Sequence, residues 1–247
     1  MTRIVNNCVA LVCLCLFWGQ SLRAADASHS EQIKWGNESV FNEEHNTLGL
    51  FSGVLGGQIV LAGGTSDDYS RWGRNAVCLS ENAGFALYED VLSKPLAYGA
   101  SITLSDGILC IGGRDSSQCY KDVFLVTMQQ GKLNVSEDWP PLPFPLSNAA
   151  GALLDNKVYL FGGRKSVSPS RLSDSFFVLD LSNKSRGWKE LPGYPGCVRE
   201  DAILVVQNNG VSPCLYLLGG QTETEEGLSS CLTDGYVYNP QLVNGVH

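Results

Sequence analysis

Four short apolar runs recur along the chain, and each of them ends in a pair of glycines. The runs are Ile59–Ala62, Ile108–Ile111, Val158–Phe161 and Leu215–Leu218. The first glycines of successive pairs are 49, 50 and 57 residues apart. Four apolar residues are too few for a buried helix but suit a strand that is covered on both faces. The pattern therefore predicts an internal structural repeat of about fifty residues.

Each of the last three runs is the second strand of a predicted hairpin. Strand-like stretches precede them at 101–104, 149–154 and 202–206, and each stretch is followed by a turn rich in Asp, Asn and Gly. Such turns between apolar stretches are typical of β-hairpins. A third strand then opens with an aspartate in each of these repeats. Because Asp122, Asp174 and Asp234 recur in this way, we expect them to be structural.

A tryptophan marks a fourth strand in two of the repeats, at Trp139 and Trp188. Four antiparallel strands per repeat, with Gly-Gly after the second and Trp in the fourth, predict an all-β fold, the kelch-type β-propeller. The predicted blades span about 48–97, 98–147, 148–200 and 201–247. The first lacks the tryptophan, and the fourth lacks its last strand.

The N-terminus has the pattern of a signal peptide. Arg3 is followed by the apolar run Cys8–Trp18 and then by small residues from Ala24 onward, an order typical of secretory signals. We therefore predict a signal peptide over 1–24 and a propeller domain over 25–247, in a periplasmic or secreted protein. An uncleaved N-terminal anchor is the alternative. Residues 33–36, which include Trp35, resemble an orphan fourth strand that would close a ring.

The charge balance argues against nucleic acid as a partner. The chain has 17 basic and 25 acidic residues, a net charge of −8. Cleavage after Ala24 removes Arg3 and Arg23, which leaves 15 basic residues against the same 25 acidic ones and a net charge of −10. A phosphate backbone or an anionic membrane would be repelled. An anionic small ligand remains compatible, because local arginines can override the overall charge.

The cysteines and histidines do not predict a metal centre. Six cysteines follow the predicted cleavage site, and no two of them form a Cys-x-x-Cys pair. Pairing of Cys110 with Cys119 and of Cys214 with Cys231 is compatible with export, and buried free thiols are the alternative. The only three histidines, His29, His45 and His247, lie outside the cores of the predicted blades. We expect no metal and no cofactor.

Several segments resemble one particular family of kelch proteins. Pro95–Ala100, Leu146–Ala150 and Trp188–Pro192, together with the strands that end in Gly-Gly, are similar to the cyclically permuted mutarotases. The resemblance extends from about Trp35 to Pro240. It implies a six-bladed propeller, so about two blades would be absent and the chain would be truncated. The alternative is a small propeller, or one that oligomerises through its open edges.

The resemblance also implies a function. The family includes the N-acetylneuraminate epimerases, so it implies a sugar-acid mutarotase that opens and recloses the ring at the anomeric centre. Where the family carries a proton-transferring glutamate, this chain has Trp72, Gly73 and Arg74. That departure favours two alternatives: a non-catalytic kelch module that binds a glycan or a protein, or an inactive truncated family member.

The candidate site residues come partly from the repeat and partly from the resemblance. Arg114 and Arg164 each follow a Gly-Gly pair, so they occupy equivalent loops and are predicted to bind a sugar carboxylate. Tyr98 and Asn148 begin the first strands of successive blades and are predicted to contact substrate as well. The predicted catalytic residues are Arg199, which matches an arginine of the family, the adjacent Glu200, and Asp68, a carboxylate close to the missing glutamate.

Overall fold

A computed structural model describes residues 48–80, 84–224 and 226–243, all of which belong to one compact unit, Ser39–His247. Nearly all of its regular structure is β-strand, as predicted. Blade 1 consists of β1 (Phe51–Leu55), β2 (Gln58–Ala62), β3 (Ala76–Ser80) and β4 (Gly84–Tyr88). Blade 2 consists of β5 (Ala100–Thr103), β6 (Ile108–Ile111), β7 (Val123–Gln129) and β8 (Lys132–Ser136).

Blades 3 and 4 carry additional short hairpins in their loops. Blade 3 contains β9 (Ala150–Leu154), β10 (Lys157–Phe161), the loop hairpin β11 (Arg164–Ser166) and β12 (Arg171–Leu172), β13 (Phe176–Asp180), a 3-10 helix (Leu181–Arg186) and β14 (Lys189–Leu191). Blade 4 contains β15 (Ile203–Asn208), β16 (Pro213–Leu218), the loop hairpin β17 (Gln221–Glu223) and β18 (Ser229–Cys231), β19 (Gly235–Tyr238) and the short helix α1 (Pro240–Val243).

Each blade is an antiparallel sheet in which the strands follow chain order. Blades 1 and 2 pair as β1-β2-β3-β4 and β5-β6-β7-β8, blade 3 as β9-β10-β13-β14, and blade 4 as β15-β16-β19. The first strands of successive blades lie side by side, β1 against β5, β5 against β9 and β9 against β15. The predicted kelch-type β-propeller fold of antiparallel blades is confirmed.

Apolar side chains between neighbouring blades form the core. One cluster packs Phe51 and Val60 of blade 1 against Phe124 and Val126 of blade 2. A second cluster joins blades 2 and 3, and a third joins blades 3 and 4. In β6 all four residues are buried, and in β10 four of five are, whereas Ile59 of β2 is exposed. Burial on both faces explains why β6 and β10 appear in the sequence as unbroken apolar runs.

The glycine pairs allow the backbone of one blade to touch the chain that leads into the next. Gly112 has φ +64°, and a Cβ atom built there would lie 2.2 Å from the carbonyl oxygen of Leu146. The amide of Gly113 donates to that same oxygen at 2.8 Å. The first glycines of the other pairs have positive φ as well. The pairs therefore fasten successive blades together through the main chain.

Blade 1 has a fourth strand despite its missing tryptophan. β4 pairs with β3, and Phe85 lies opposite Leu79. In blade 2 the fourth strand, β8, places Val135 opposite Val126 of β7. An apolar residue other than tryptophan therefore occupies the outer strand of both blades. Trp139 follows β8 and Trp188 precedes β14, so each tryptophan lies beside the fourth strand of its blade, whereas the prediction placed it within that strand.

Blade 4 has three paired strands within the described residues, and its boundary with blade 3 is correspondingly open. A cavity of about 340 Å³ lies there, lined by Tyr194, Leu215 and Tyr236 among others. The space between blades 1 and 2, where Val135 of the fourth strand β8 contributes to the lining, measures only about 10 Å³. A fourth strand thus covers the space between two blades where it is present.

Some predictions fall outside this region. The signal peptide over 1–24 and the orphan strand over 33–36 lie outside the described residues. Over 48–80, 84–224 and 226–243, no helix is long and apolar enough to cross a membrane. The six cysteines are free thiols in the structure, of which Cys197 and Cys231 are exposed and the other four are buried.

Candidate functional site

One end of the propeller collects the loops that carry the candidate residues. In each blade the first strand begins at this end, and the second strand returns to it before the glycine pair. In blades 2 to 4 the loop that leads into the first strand is joined to the loop after the glycine pair by a β-bridge. These bridges pair Ala97 with Arg114, Ser147 with Arg164, and Glu200 with Gln221. The residues after the Gly-Gly pairs are therefore neighbours of the residues that begin the blades. We call this end the loop end.

A ring of four left-handed residues surrounds the axis at the loop end. Gly49, Tyr98, Asn148 and Asp201 have φ values of 65°, 60°, 55° and 52°. The amide of Tyr98 donates to Gly49 at 2.7 Å, that of Asn148 to Tyr98 at 2.6 Å, and that of Asp201 to Asn148 at 3.0 Å. These four residues occupy equivalent points of four blades.

This ring lines a cavity of about 280 Å³, hereafter the axial cavity. Its lining comprises the four ring residues and the residue that follows each of them. Polar groups from Tyr98, Asn148 and Asp201 therefore meet at one place, although they are about fifty residues apart in the sequence. Convergence of a few polar groups in a concave site is typical of small-molecule binding.

Arg114 is held by aromatic rings. Its guanidinium carbon lies 4.7 Å from the centre of the Tyr98 ring and 5.1 Å from the centre of the Trp72 ring. Within the described ranges its guanidinium donates one hydrogen bond, to the backbone carbonyl of Asp115, and that bond is long at 3.4 Å. Among the described residues no carboxylate forms an ion pair with Arg114. The side chain is thus positioned by stacking and keeps its charge for an anion.

Tyr98 is partly buried beneath this arginine. Burial raises the pKa of its hydroxyl far above the ordinary value, and the neighbouring Tyr69 hydroxyl raises it further. Arg114 lowers this pKa and Asp201 raises it. Both charges therefore act on the same hydroxyl, which stays protonated near neutral pH.

Arg164 is engaged by protein carboxylates. Its Nε donates to Glu200 at 2.8 Å, its Nη2 donates to both Glu200 and Glu223, and its Nη1 donates to Ser170. These bonds raise the pKa of the guanidinium, the Glu200 hydrogen bond most of all. Arg164 and Glu200 thus neutralise each other at the loop end, so their predicted roles in substrate binding and catalysis stay predictions.

Arg199 is fully buried, with 0% exposure. Its guanidinium donates to both carboxylate oxygens of Asp234 at 2.7 and 2.9 Å, to Gly219 at 2.8 Å and to the Tyr194 hydroxyl at 2.9 Å. The Asp234 hydrogen bond is the main cause of its raised pKa. Such a guanidinium fastens the last blade to the loop before it. Its predicted catalytic role stays a prediction that this placement does not favour.

Asp68 lies in a turn at the loop end. Ser66 donates its hydroxyl to the carboxylate, and Ser70 donates both its amide and its hydroxyl. These bonds, that from Ser66 first, lower its pKa to about 2. A carboxylate of such low basicity accepts a proton poorly near neutral pH. Its predicted catalytic role likewise stays a prediction.

Asp201 and Gln221 were not among the predicted site residues. Asp201 accepts from the Asn148 side-chain amide at 2.9 Å and from the Gln221 side-chain amide at 2.8 Å. A signal for Asp201 was present in the sequence, since it holds the place in blade 4 that Tyr98 and Asn148 hold in blades 2 and 3. A small residue follows each of the three positions, Gly99, Ala149 and Ala202.

The absence of a metal and of a cofactor stays a prediction. Within the described part of the chain, no group of three or more His, Cys, Asp or Glu side chains is arranged to hold a metal ion. The polar side chains that line the axial cavity are a tyrosine, an amide and a carboxylate: Tyr98, Asn148 and Asp201. This chemistry suits a polyhydroxylated organic ligand better than a cation.

Comparison with known proteins places this geometry in a family context. The sequence profile of the N-acetylneuraminate epimerases matches residues 139–244. The chain has an epimerase-like kelch propeller fold. An N-acetylneuraminate epimerase of Haemophilus influenzae (strain PittEE) is 31% identical over 105 residues, which are 42% of this chain and 25% of that protein. One from Yersinia pestis (strain Pestoides F) is 31% identical over 108 residues, 43% of this chain and 25% of that protein.

Further similarity supports the same fold. A kelch domain-containing protein of Vibrio cholerae is 32% identical over 104 residues, covering 42% of this chain and 26% of that protein. The solved structure of YjhT superposes with a TM-score of 0.62 at 14% identity, covering 76% of this chain and 68% of that one. The matched segment thus spans about a quarter of each of these curated relatives. It extends from the end of blade 2 through blade 4, a narrower range than the motifs suggested.

Proposed function

We propose that the protein is an exported sugar-acid mutarotase that acts on the anomeric centre of N-acetylneuraminate-like sugars. The observation that carries the proposal is Arg114, an arginine stacked on Trp72 and Tyr98 beside the axial cavity. A forked guanidinium suits a sugar carboxylate. The similarity to N-acetylneuraminate epimerases supports the same substrate class.

The chemistry needed is acid–base catalysis at one carbon. Ring opening removes the proton of the anomeric hydroxyl and adds a proton to the ring oxygen, and reclosure reverses both transfers on the other face. No covalent intermediate and no cofactor is required for this reaction. The axial cavity supplies hydrogen-bonding groups for the sugar hydroxyls, and Arg114 supplies the positive charge for the carboxylate.

The direct test follows anomer exchange. N-acetylneuraminate released as the α-anomer would be monitored by NMR with and without the protein. We expect exchange to be faster with protein, in proportion to its concentration. A rate that does not change at high protein concentration would contradict the proposed activity.

Replacing Arg114 by glutamine should weaken binding of N-acetylneuraminate roughly 10- to 100-fold, because a hydrogen bond to a charged group contributes about 1.5–3 kcal/mol. Calorimetric titration measures the dissociation constant. Arg186→Gln is the matched control, because Arg186 ends the exposed 3-10 helix at the opposite end of the propeller. Equal affinity of the Arg114 variant and the control would remove Arg114 from the site.

A non-catalytic kelch module that binds a glycan or a protein is the second candidate. The observation that favours it is the segment Trp72–Arg74, which lacks the glutamate expected from the family resemblance. This candidate predicts that N-acetylneuraminate raises the melting temperature of the protein without accelerating anomer exchange. Acceleration at catalytic protein concentrations would contradict it, and would equally contradict an inactive truncated family member.

We further propose that the protein is periplasmic or secreted and has no nucleic-acid partner. The predicted signal peptide supports export, and the net charge of −10 after cleavage disfavours binding to phosphate backbones. Mass spectrometry of the protein from the cell exterior or periplasm would locate its first residue. A chain that retains Met1 and stays inside the cell would contradict the export proposal.

The open faces of the propeller support the predicted self-association. Large apolar side chains are exposed on the outer face of blade 1 and on that of blade 4: Val54, Ile59, Phe85, Leu87, Ile203, Val205 and Val237. Contiguous exposed apolar side chains are typical of interaction surfaces. We expect Phe85→Glu to raise the dissociation constant of the oligomer at least roughly tenfold in sedimentation equilibrium, because it would bury a charge.

Val211→Glu is the control for this experiment, because Val211 is 90% exposed in the turn between β15 and β16. It should leave association unchanged. Sedimentation of the unaltered chain as a monomer at every concentration would contradict self-association.

A further inference from the structure

Asp201 is the carboxylate that lines the axial cavity. We propose that it is the general base that takes the proton of the anomeric hydroxyl. This inference rests on the proposed mutarotase function and adds a residue that neither the sequence motifs nor the family similarity assigned. Asp201 differs from other carboxylates of the loop end in the groups that donate to it.

Four other carboxylates of the loop end are engaged either by a guanidinium or by three or more hydrogen bonds. Glu200 and Glu223 both accept from the Arg164 guanidinium. Asp68 accepts three hydrogen bonds within its own turn. Asp115 accepts from Ser117, Gln118 and Tyr120, and its pKa is lowered to about 2. The hydrogen bonds to Asp68 and Asp115 stabilise the charged form, so these two carboxylates are weak bases.

Asp201 accepts two side-chain hydrogen bonds, both from neutral amides. One oxygen accepts from the Asn148 amide and the other from the Gln221 amide, at 2.9 and 2.8 Å. Within the described residues no lysine or arginine forms an ion pair with it. Each carboxylate oxygen can accept at two sites, so each keeps one for a substrate hydroxyl. The two amides thus fix the direction of the carboxylate without neutralising it.

The position of Asp201 also matches the geometry of a sugar acid. In N-acetylneuraminate the carboxylate and the anomeric hydroxyl are attached to the same carbon, so the cation and the base must act close to one point. Arg114 stacks on Tyr98, and both Arg114 and Asp201 influence the Tyr98 hydroxyl. Tyr98 and Asp201 line the same cavity. Tyr98 therefore connects the two groups: it lines the cavity together with Asp201, and Arg114 stacks on its ring.

In the proposed step, Asp201 acts as the base and water acts as the acid. An Asp201 oxygen takes the proton of the anomeric hydroxyl, the released electron pair forms the carbonyl, and the bond from the anomeric carbon to the ring oxygen breaks. The ring oxygen takes a proton from water, which becomes hydroxide. On reclosure the new hydroxyl gives its proton to that hydroxide and attacks the opposite face of the carbonyl, whose oxygen regains the proton from Asp201.

The experiment compares Asp201→Asn with the unaltered protein. Loss of a general base lowers the turnover rate roughly 10²- to 10⁴-fold, so we expect such a loss in NMR anomer exchange. The dissociation constant for N-acetylneuraminate should stay within about threefold, because asparagine keeps the shape and one neighbouring amide, that of Asn148 or Gln221, can rotate to accept from its NH₂ group. Asp155→Asn, in the exposed β9–β10 turn at the opposite end, is the matched control and should keep the full rate.

The possible outcomes distinguish a wrong assignment of Asp201 from a wrong mutarotase function. An Asp201→Asn variant that binds the sugar and exchanges its anomers at the unaltered rate overturns the assignment of Asp201 and leaves the mutarotase function standing. A variant that loses rate and affinity together makes Asp201 a binding group and also overturns its role as base. An unaltered protein that does not accelerate exchange overturns both the function and the assignment.

Discussion

Replacing Gly112 by alanine is expected to lower the free energy of unfolding by at least about 3 kcal/mol, the range of a severe backbone conflict. The added Cβ would lie 2.2 Å from the Leu146 carbonyl oxygen. That oxygen cannot withdraw, because it accepts the Gly113 amide at 2.8 Å and belongs to a buried residue. Either the hydrogen bond between the blades breaks or the two chain segments separate. Urea denaturation followed by tryptophan fluorescence measures the effect.

Gly131→Ala isolates the part of the cost that comes from backbone conformation alone. Gly131 has φ +74°, close to the value at Gly112, but nothing lies within 4 Å of the position of its Cβ. We expect this variant to lose only about 1–2 kcal/mol, the cost of the left-handed conformation. Equal destabilisation of the two variants would show that the glycine pairs are kept for backbone freedom and not for close approach.

Asp234→Asn is the second substitution with a large expected effect. It removes the charge that faces Arg199, a guanidinium with 0% side-chain exposure. Breaking a buried ion pair typically costs 3–5 kcal/mol. Because Asp234 itself is 40% exposed, water can compensate in part, and we expect a loss of about 2–3 kcal/mol. Equilibrium unfolding in urea measures it.

The exposed pair of Arg74 and Asp90 supplies the matched comparison. Its side chains are 41% and 65% exposed, and such pairs contribute about 0–1 kcal/mol. Asp90→Asn should therefore change stability by less than about 1 kcal/mol. If Asp234→Asn were equally mild, the guanidinium of Arg199 would not depend on its carboxylate, and a functional role for Arg199 would regain support.

The fold followed from local sequence signals because each of them has a local physical cause. An unbroken apolar run such as Ile108–Ile111 forms a strand that is buried on both faces. The glycine pair after it permits backbone conformations that other residues resist. The outer strand of blade 1 was less clear, because the tryptophan signal was absent although β4 pairs with β3 along its whole length.

The sequence revealed the candidate site only in part. Equivalent positions after the glycine pairs indicated that Arg114 and Arg164 occupy corresponding loops. Spacing alone could not distinguish them, because their partners come from other blades. Glu200 and Glu223 neutralise Arg164, whereas Trp72 and Tyr98 stack on Arg114. Asp201 was missed because its role depends on two amides that are 53 and 20 residues away.

The sequence by itself determined the repeat and its strands, since both depend on residues that are close to one another in the chain. The tertiary structure alone decided which charged groups are neutralised, which are buried and which face the axial cavity. Hydrogen bonds and ion pairs act over a few ångströms and join residues about fifty positions apart. A kelch fold could therefore be recognised from the pattern, whereas the roles of Arg114, Arg199 and Asp201 depended on how the blades meet.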